Sequence, residues 1–162
     1  MMSVMLRDMK KRIVLVFATG FGLGLSPVAS GTFGTLPGVF IAAAMSGFTL
    51  PIQIVSAVIM AVAAVPVCGA AEKIYGKKDD GRIVADEYLT FPLTILGLPW
   101  TGNLWLLGMA FVTHRLLDII KPPPANRMQE IKGGSGIVAD DVVSSVYALI
   151  LNHAIWFAVG GL

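Results

Sequence analysis

From Ile13 to Ala71 the chain contains no Lys, Arg, Asp or Glu. A water-soluble domain needs charge on its exposed faces and averages about 25% charged residues. Here the charged fraction is 14% against 56% hydrophobic. Composition therefore favours an integral membrane protein. At 162 residues the chain divides into a basic cytoplasmic segment, 1–12, and one membrane-embedded domain, 13–162.

Proline and glycine divide the apolar sequence. Ile13 to Leu25 carries Gly20, Gly22 and Gly24, and Pro37 to Leu50 is shorter than a span. Pro51 to Ala71 and Val142 to Leu162 are of span length, roughly 20 residues. Tyr88–Leu98 and Leu104–Thr113 are short pieces around a Pro99–Asn103 turn, where Trp100 and Trp105 suit an interfacial position. The expected architecture is an all-α integral membrane bundle of four to five membrane-associated helices, several of them short or re-entrant. Its motif loops share one side.

Basic residues indicate which side. Arg7, Lys10, Lys11 and Arg12 precede the first apolar run, and the later polar segments carry Lys73, Lys77, Lys78 and Arg82, then Lys121, Arg127 and Lys132. The positive-inside tendency puts all three groups on the cytoplasmic face. The basic start and Val28-Ala29-Ser30 loosely imitate a cleavable signal, but Thr19 and three glycines interrupt its apolar core, so retention is expected. The bases are too dispersed for a nucleic-acid surface. Cys68 lies in an apolar run and reads as a small buried hydrophobe. Nothing in the sequence specifies an oligomeric state.

Seven of the ten acids fall in three short stretches beside apolar runs: Asp79, Asp80, Asp86 and Glu87, then Asp118, then Asp140 and Asp141. Carboxylates are costly near a membrane and mark a functional site there. Asp79-Asp80-Gly81 reads as a turn whose acids could cap a following helix. Capping does not account for Asp86-Glu87, immediately before an apolar segment. Arg115, Asp118 and Lys121 are spaced by three and share one helical face that Pro122-Pro123-Pro124 ends. They make either an ion-pair ladder or a phosphate clamp in which Asp118 orients the bases or binds metal. Gly133-Gly134-Ser135-Gly136 leads into a helix opened by Asp140 and Asp141, again caps or metal ligands. Hard oxygen donors of this kind suit Mg²⁺. The segment Gly20–Thr35, rich in Gly, Ser and Thr, is suited to close helix packing or to cradling phosphate, with Ser30-Gly31-Thr32 at a helix entering near Leu36.

Four ordered motifs are Gly22-x-Gly24-x-Ser26-Pro27…Ser30-Gly31-Thr32-x-Gly34, Ile83-Val84-x-Asp86-Glu87, Arg115-x-x-Asp118-x-x-Lys121-Pro122-x-Pro124 and Gly133-Gly134-x-Gly136-Ile137…Asp140-Asp141. Together they resemble the phosphatidylglycerophosphatase A family, from about residue 18 to the last helix. The resemblance implies a Mg²⁺-dependent lipid phosphatase of the cell membrane (the inner one where the host has two) converting phosphatidylglycerophosphate to phosphatidylglycerol. Two departures are Thr90, where the family usually has Gly, and Ser144-Ser145, where it usually has Ala-Gly. Both are small-for-small changes away from the carboxylates.

On this reading Asp79, Asp86, Glu87, Asp140 and Asp141 are the expected metal ligands. Asp86, Glu87, Asp118 and Asp141 are the expected catalytic residues. Arg115 and Lys121 would hold the phosphate, with Ser30, Gly31, Thr32 and Gly134 around the substrate. Rival readings are a Mg²⁺-dependent lipid phosphotransferase, whose aspartate motif the Asp80-Gly81-Arg82 run fails to continue, and a small ion-coupled transporter, which would hold its acids mid-span.

Overall fold

The computed structural model describes residues 2–160, and is all-helical over them. Seven α-helices follow in order: α1 Met2–Ala18, α2 Ser30–Ala44, α3 Leu50–Tyr75, α4 Ala85–Thr90, α5 Trp105–Ile120, α6 Ala125–Met128 and α7 Gly134–Ala158. Short 3-10 turns lie at Leu23–Leu25, Met45–Gly47, Phe91–Ile95 and Trp100–Gly102. The last two residues of the Val142–Leu162 run lie outside the described residues.

Among the described residues only α3 and α7, of 26 and 25 residues, are long and apolar enough to cross a membrane. The remaining helices have 17 residues or fewer, in keeping with the short segments expected. α1 runs through the basic stretch before Ile13 without a break.

α3 is built with small side chains inside and large ones outside. Ala57, Ala61, Ala64, Cys68 and Ala71, spaced by fours and threes, face the bundle and are buried. Val55, Val58, Ile59 and Val62 point outward and are at least half exposed. In water each exposed side chain would forgo about 25 cal/mol per Å² of apolar surface; a lipid surround removes that loss. Inside, small residues let helix backbones approach closely. Gly134 shows how closely: a Cβ there would overlap Val65 O and come within 2.7 Å of Gly69 N on α3.

α2 starts at Ser30, six residues before the expected entry near Leu36, with Ala29 in the left-handed region at φ 50°. Its buried face of Gly31, Gly34, Thr35, Gly38 and Ala42 lies on α4 and the loop before it. A Cβ at Gly38 would reach 2.6 Å from Tyr88 O, and one at Gly34 2.6–2.7 Å from the Val84 methyls. The glycines are therefore contact surfaces that set the α2–α4 separation.

α5 and α7 meet along a seam that is polar for much of its length. Thr113 Oγ1 donates to Asn152 Oδ1 at 2.8 Å, and Asn152 Nδ2 donates to Thr94 O at 2.9 Å. His114 Nδ1 lies 3.4 Å from Ser145 Oγ, with the ring edge-on to Phe91. Ser144 and Ser145, the departure from the family pattern, are fully buried here. Trp105 is half exposed against Trp156, but Trp100, expected at an interface, is buried with Phe91 and Leu106.

Candidate active site

Three helix segments and one helix start converge on a cleft of about 440 Å³. α4 contributes Asp86 and Glu87 from its first turn. The end of α5 contributes Arg115, Asp118 and the terminating Lys121. α7 contributes Asp140 and Asp141, and the start of α2 contributes Ser30, Gly31 and Thr32. Asp140 and Asp141 are the seventh and eighth residues of α7, about two turns in, so they cannot be its caps.

Arg115 is the hub of the cleft. Its NH1 donates to Asp118 Oδ2 at 2.8 Å and lies 3.1 Å from Glu87 Oε1. It also reaches Thr35 Oγ1 at 3.4 Å. The Thr35 hydroxyl gives its proton to Gly31 O at 2.8 Å, the shorter of its contacts, and so can accept from Arg115. Thr35 was not among the expected residues; its signal was its place four residues after Gly31, on the same face of α2. Lys121 bonds Asp140 Oδ2 and lies 3.8 Å from Asp118 Oδ1. Gln129 was also missed: its Nε2 donates to Asp140 Oδ2 at 3.1 Å, from a turn no motif marks.

Six acids therefore face two bases across the cleft. Asp141 lines the same cleft as Asp86 and Asp118. Asp86 Oδ1, Asp140 Oδ1 and Asp141 Oδ1 are buried and lack any hydrogen-bond partner among the described residues. Burial, reinforced by the Glu87 charge, raises the Asp86 carboxyl well above the usual range. Burial also raises Glu87 to about 7, with the Arg115 charge opposing and Asp118 adding to the rise. With only Arg115 and Lys121 to oppose them, the buried acids cannot all be charged unless a further cation lies among them. No three His, Cys, Asp or Glu side chains among the described residues already form a closed metal-ligand group.

The remaining expected residues divide. Asp79, at φ 48°, is exposed on the rim of the cleft. Asp80 turns away from it, accepting from Arg82 Nε and NH2 at 2.7 and 3.0 Å, which holds its carboxyl below the usual range. Arg82 in turn stacks on Tyr75. This clasp, not helix capping, accounts for Asp80, because α4 has no side-chain cap. Gly134, expected near substrate, instead forms the α3 contact described above and does not line the cleft.

The sequence model described as phosphatidylglycerophosphatase A matches residues 16–156. The chain belongs to the phosphatidylglycerophosphatase A family. Proteins named phosphatidylglycerophosphatase A from Escherichia coli and Haemophilus influenzae are 37% and 31% identical to it. The first alignment covers 81% of this chain and 76% of that protein, and the second 88% of each. A Bacteroides thetaiotaomicron relative, provisionally named a phosphatidylinositol-3-phosphatase, is 32% identical over 90% of this chain and 95% of its own length. No solved structure matches the chain.

The relatives bearing the phosphatidylglycerophosphatase A name are phosphatases, and the glycines of the first family motif acquire a physical role beside the cleft acids. A Cβ on Gly31 would collide with Glu87 Oε1 and stand 2.5 Å from Arg115 NH2. Gly31→Ala is therefore expected to displace the Arg115–Glu87 pair and lower turnover at least ~10-fold, about 1.4 kcal/mol. Purified protein should keep its helicity by circular dichroism. Wild-type turnover in this variant would show that the close approach has no functional weight.

Proposed function

We propose that this phosphatidylglycerophosphatase A family member removes the terminal phosphate of phosphatidylglycerophosphate, giving phosphatidylglycerol and inorganic phosphate at the cytoplasmic face of the cell membrane. The observation that carries this reading is the trio of buried, unpartnered carboxylate oxygens on Asp86, Asp140 and Asp141, beside Arg115 and Lys121 in one cleft. A phosphate monoester is dianionic, and six acids would repel it. Hard oxygen donors without partners fit Mg²⁺, which is held by a few carboxylates together with waters and substrate phosphate, so a closed protein cage is not required. Asp86, Asp140 and Asp141 would hold it, with Glu87 and Asp79 alongside. When bound, the ion supplies charge neutralisation of the phosphoryl group and a lowered pKa for water.

The protein's own groups have separate tasks. Arg115 uses only part of its fork, since its Nε makes no bond and its NH2 lies against Gly31. It can receive phosphate oxygens while staying anchored to Asp118 and Glu87. Lys121 adds a second positive charge at the rim. Glu87, held near neutrality, is suited to take a proton from an attacking water. The backbone at Gly31 and Thr32 leaves room for the phosphate or the adjoining glycerol. Product formation would place the chain in phospholipid biosynthesis.

Phosphate release from phosphatidylglycerophosphate in detergent micelles tests the reading. Activity should depend on Mg²⁺, fall to the level of a mock preparation with excess EDTA, and return when Mg²⁺ is restored. No release above the mock preparation at any Mg²⁺ concentration would reject it. Full activity in EDTA would reject the metal alone. Phosphatidylinositol 3-phosphate, offered in parallel, measures headgroup choice, with the glycerol substrate expected to react faster.

A further inference from the structure

A second cavity lies apart from the polar cleft. It is an apolar groove of about 770 Å³ with walls that include Phe17, Pro37, Phe40, Ala63, Val67 and Leu89. We propose that this groove binds an acyl chain of the same lipid whose phosphate occupies the cleft. This rests on the phosphatase reading above.

The two cavities share structural walls. α4 presents Asp86 and Glu87 to the cleft and Leu89 to the groove; α2 presents Ser30 to Thr32 to the cleft and Leu36 onward to the groove. Ser30, Pro37 and Ile41, at i, i+7 and i+11, lie on one face of α2. Thr32 and Pro37 are separated along the axis by roughly 6–8 Å at 1.5 Å per residue, a length that a glycerol-phosphate headgroup bridges. The groove lining is almost wholly carbon, and its rim is open: Phe40 is 74% exposed and Phe21 63%. Its volume lies in the roughly 300–1,000 Å³ range of small-molecule pockets. A second apolar groove between α3 and α7, of about 610 Å³, includes Val58 and Val62 but no residue of α2 or α4. The shared helices favour the first groove for the substrate.

Ala63→Trp tests the assignment, because Ala63 points into the groove and is exposed, outside the buried stripe of α3. It should raise KM for dioleoyl phosphatidylglycerophosphate in mixed micelles at least ~10-fold. On the deacylated headgroup, glycerophosphoglycerol phosphate, kcat/KM should stay within twofold of wild type. Val62→Trp, on the same helix but in the other groove, should leave both substrates unchanged. An unchanged diacyl KM in Ala63→Trp, or an equal loss on both substrates, overturns the proposal.

A second arm is independent of catalysis. Phosphatidylglycerol carrying a diazirine in one chain, in nanodiscs, should label the α2 segment bearing Phe40 above the α7 segment bearing Val142 and Val146, which line the second groove, and Ala63→Trp should remove the excess. Uniform labelling of all exposed apolar surface overturns the groove. Selective labelling by a protein that hydrolyses neither substrate would leave the groove standing and reject the phosphatase reading.

Discussion

Asp141→Asn is expected to lower phosphate release at least ~1,000-fold, about 4 kcal/mol of transition-state stabilisation, without unfolding the protein. Asp141 is buried in the cleft it shares with Asp86 and Asp118, with Oδ1 unpartnered. Asparagine has nearly the same shape but no charge. The variant loses a ligand for a cation while relieving repulsion among buried acids. Thermal unfolding in EDTA should therefore occur at the same temperature as wild type or higher. Mg²⁺, by binding only the folded state, should raise the wild-type Tm and have little effect on the variant. A variant that keeps more than a tenth of wild-type activity and its Mg²⁺-dependent Tm shift would remove Asp141 from the site. The paired measurements matter, because a misfolded variant would lose activity with a lower Tm in EDTA.

Arg115→Ala should be the most damaging substitution for stability. The guanidinium is mostly buried and stands between Glu87 and Asp118 at 3.1 and 2.8 Å. Its removal strands the Glu87 carboxylate and leaves Asp118 only Lys121, 3.8 Å away, and breaking a buried pair from one side costs about 3–5 kcal/mol. Denaturant unfolding should show that loss, with activity undetectable. Arg115→Lys retains the charge but not the planar fork that spans two carboxylates and Thr35, so a partial loss of stability and a ~100-fold fall in kcat/KM are expected. The double variant Arg115→Ala with Glu87→Gln should recover part of the stability lost by Arg115→Ala, since the stranded charge is gone, and none of the activity. Additive destabilisation in that double variant would mean that Glu87 and Arg115 are not energetically coupled.

Much of the helical organisation was legible because its signals are local. The uncharged stretch from Ile13 to Ala71 implied lipid-compatible helices, and α3 displays the matching inside-out burial. The spacing of Arg115, Asp118 and Lys121 put them on one face of a helix that the prolines end, and α5 terminates at Ile120. Other features could not be read locally. Asp140 and Asp141 looked like the opening of a helix because glycines preceded them, yet α7 begins at Gly134, where those glycines fit against α3 and Ile131. The start of α2 was misplaced for the same reason: Gly31 and Gly34 look like loop residues, but here they serve as contacts inside a helix. Gln129 and Thr35 carry no motif of their own and matter only through what lies opposite them.

The sequence by itself determined the helical class, the membrane-compatible surface and the small set of residues able to carry charge near it. Those follow from composition and from periodicity, which says what lies on one face of one helix. Which faces meet was decided only by tertiary structure. Glycine contacts bring α2 onto α4, and the polar α5–α7 seam sets Asp118 beside Asp141, so acids from three separated segments share one cleft with Arg115 and Lys121. The reason is physical: helix periodicity fixes angles around one axis, whereas the distance between two carboxylates on different helices depends on how closely their backbones can approach.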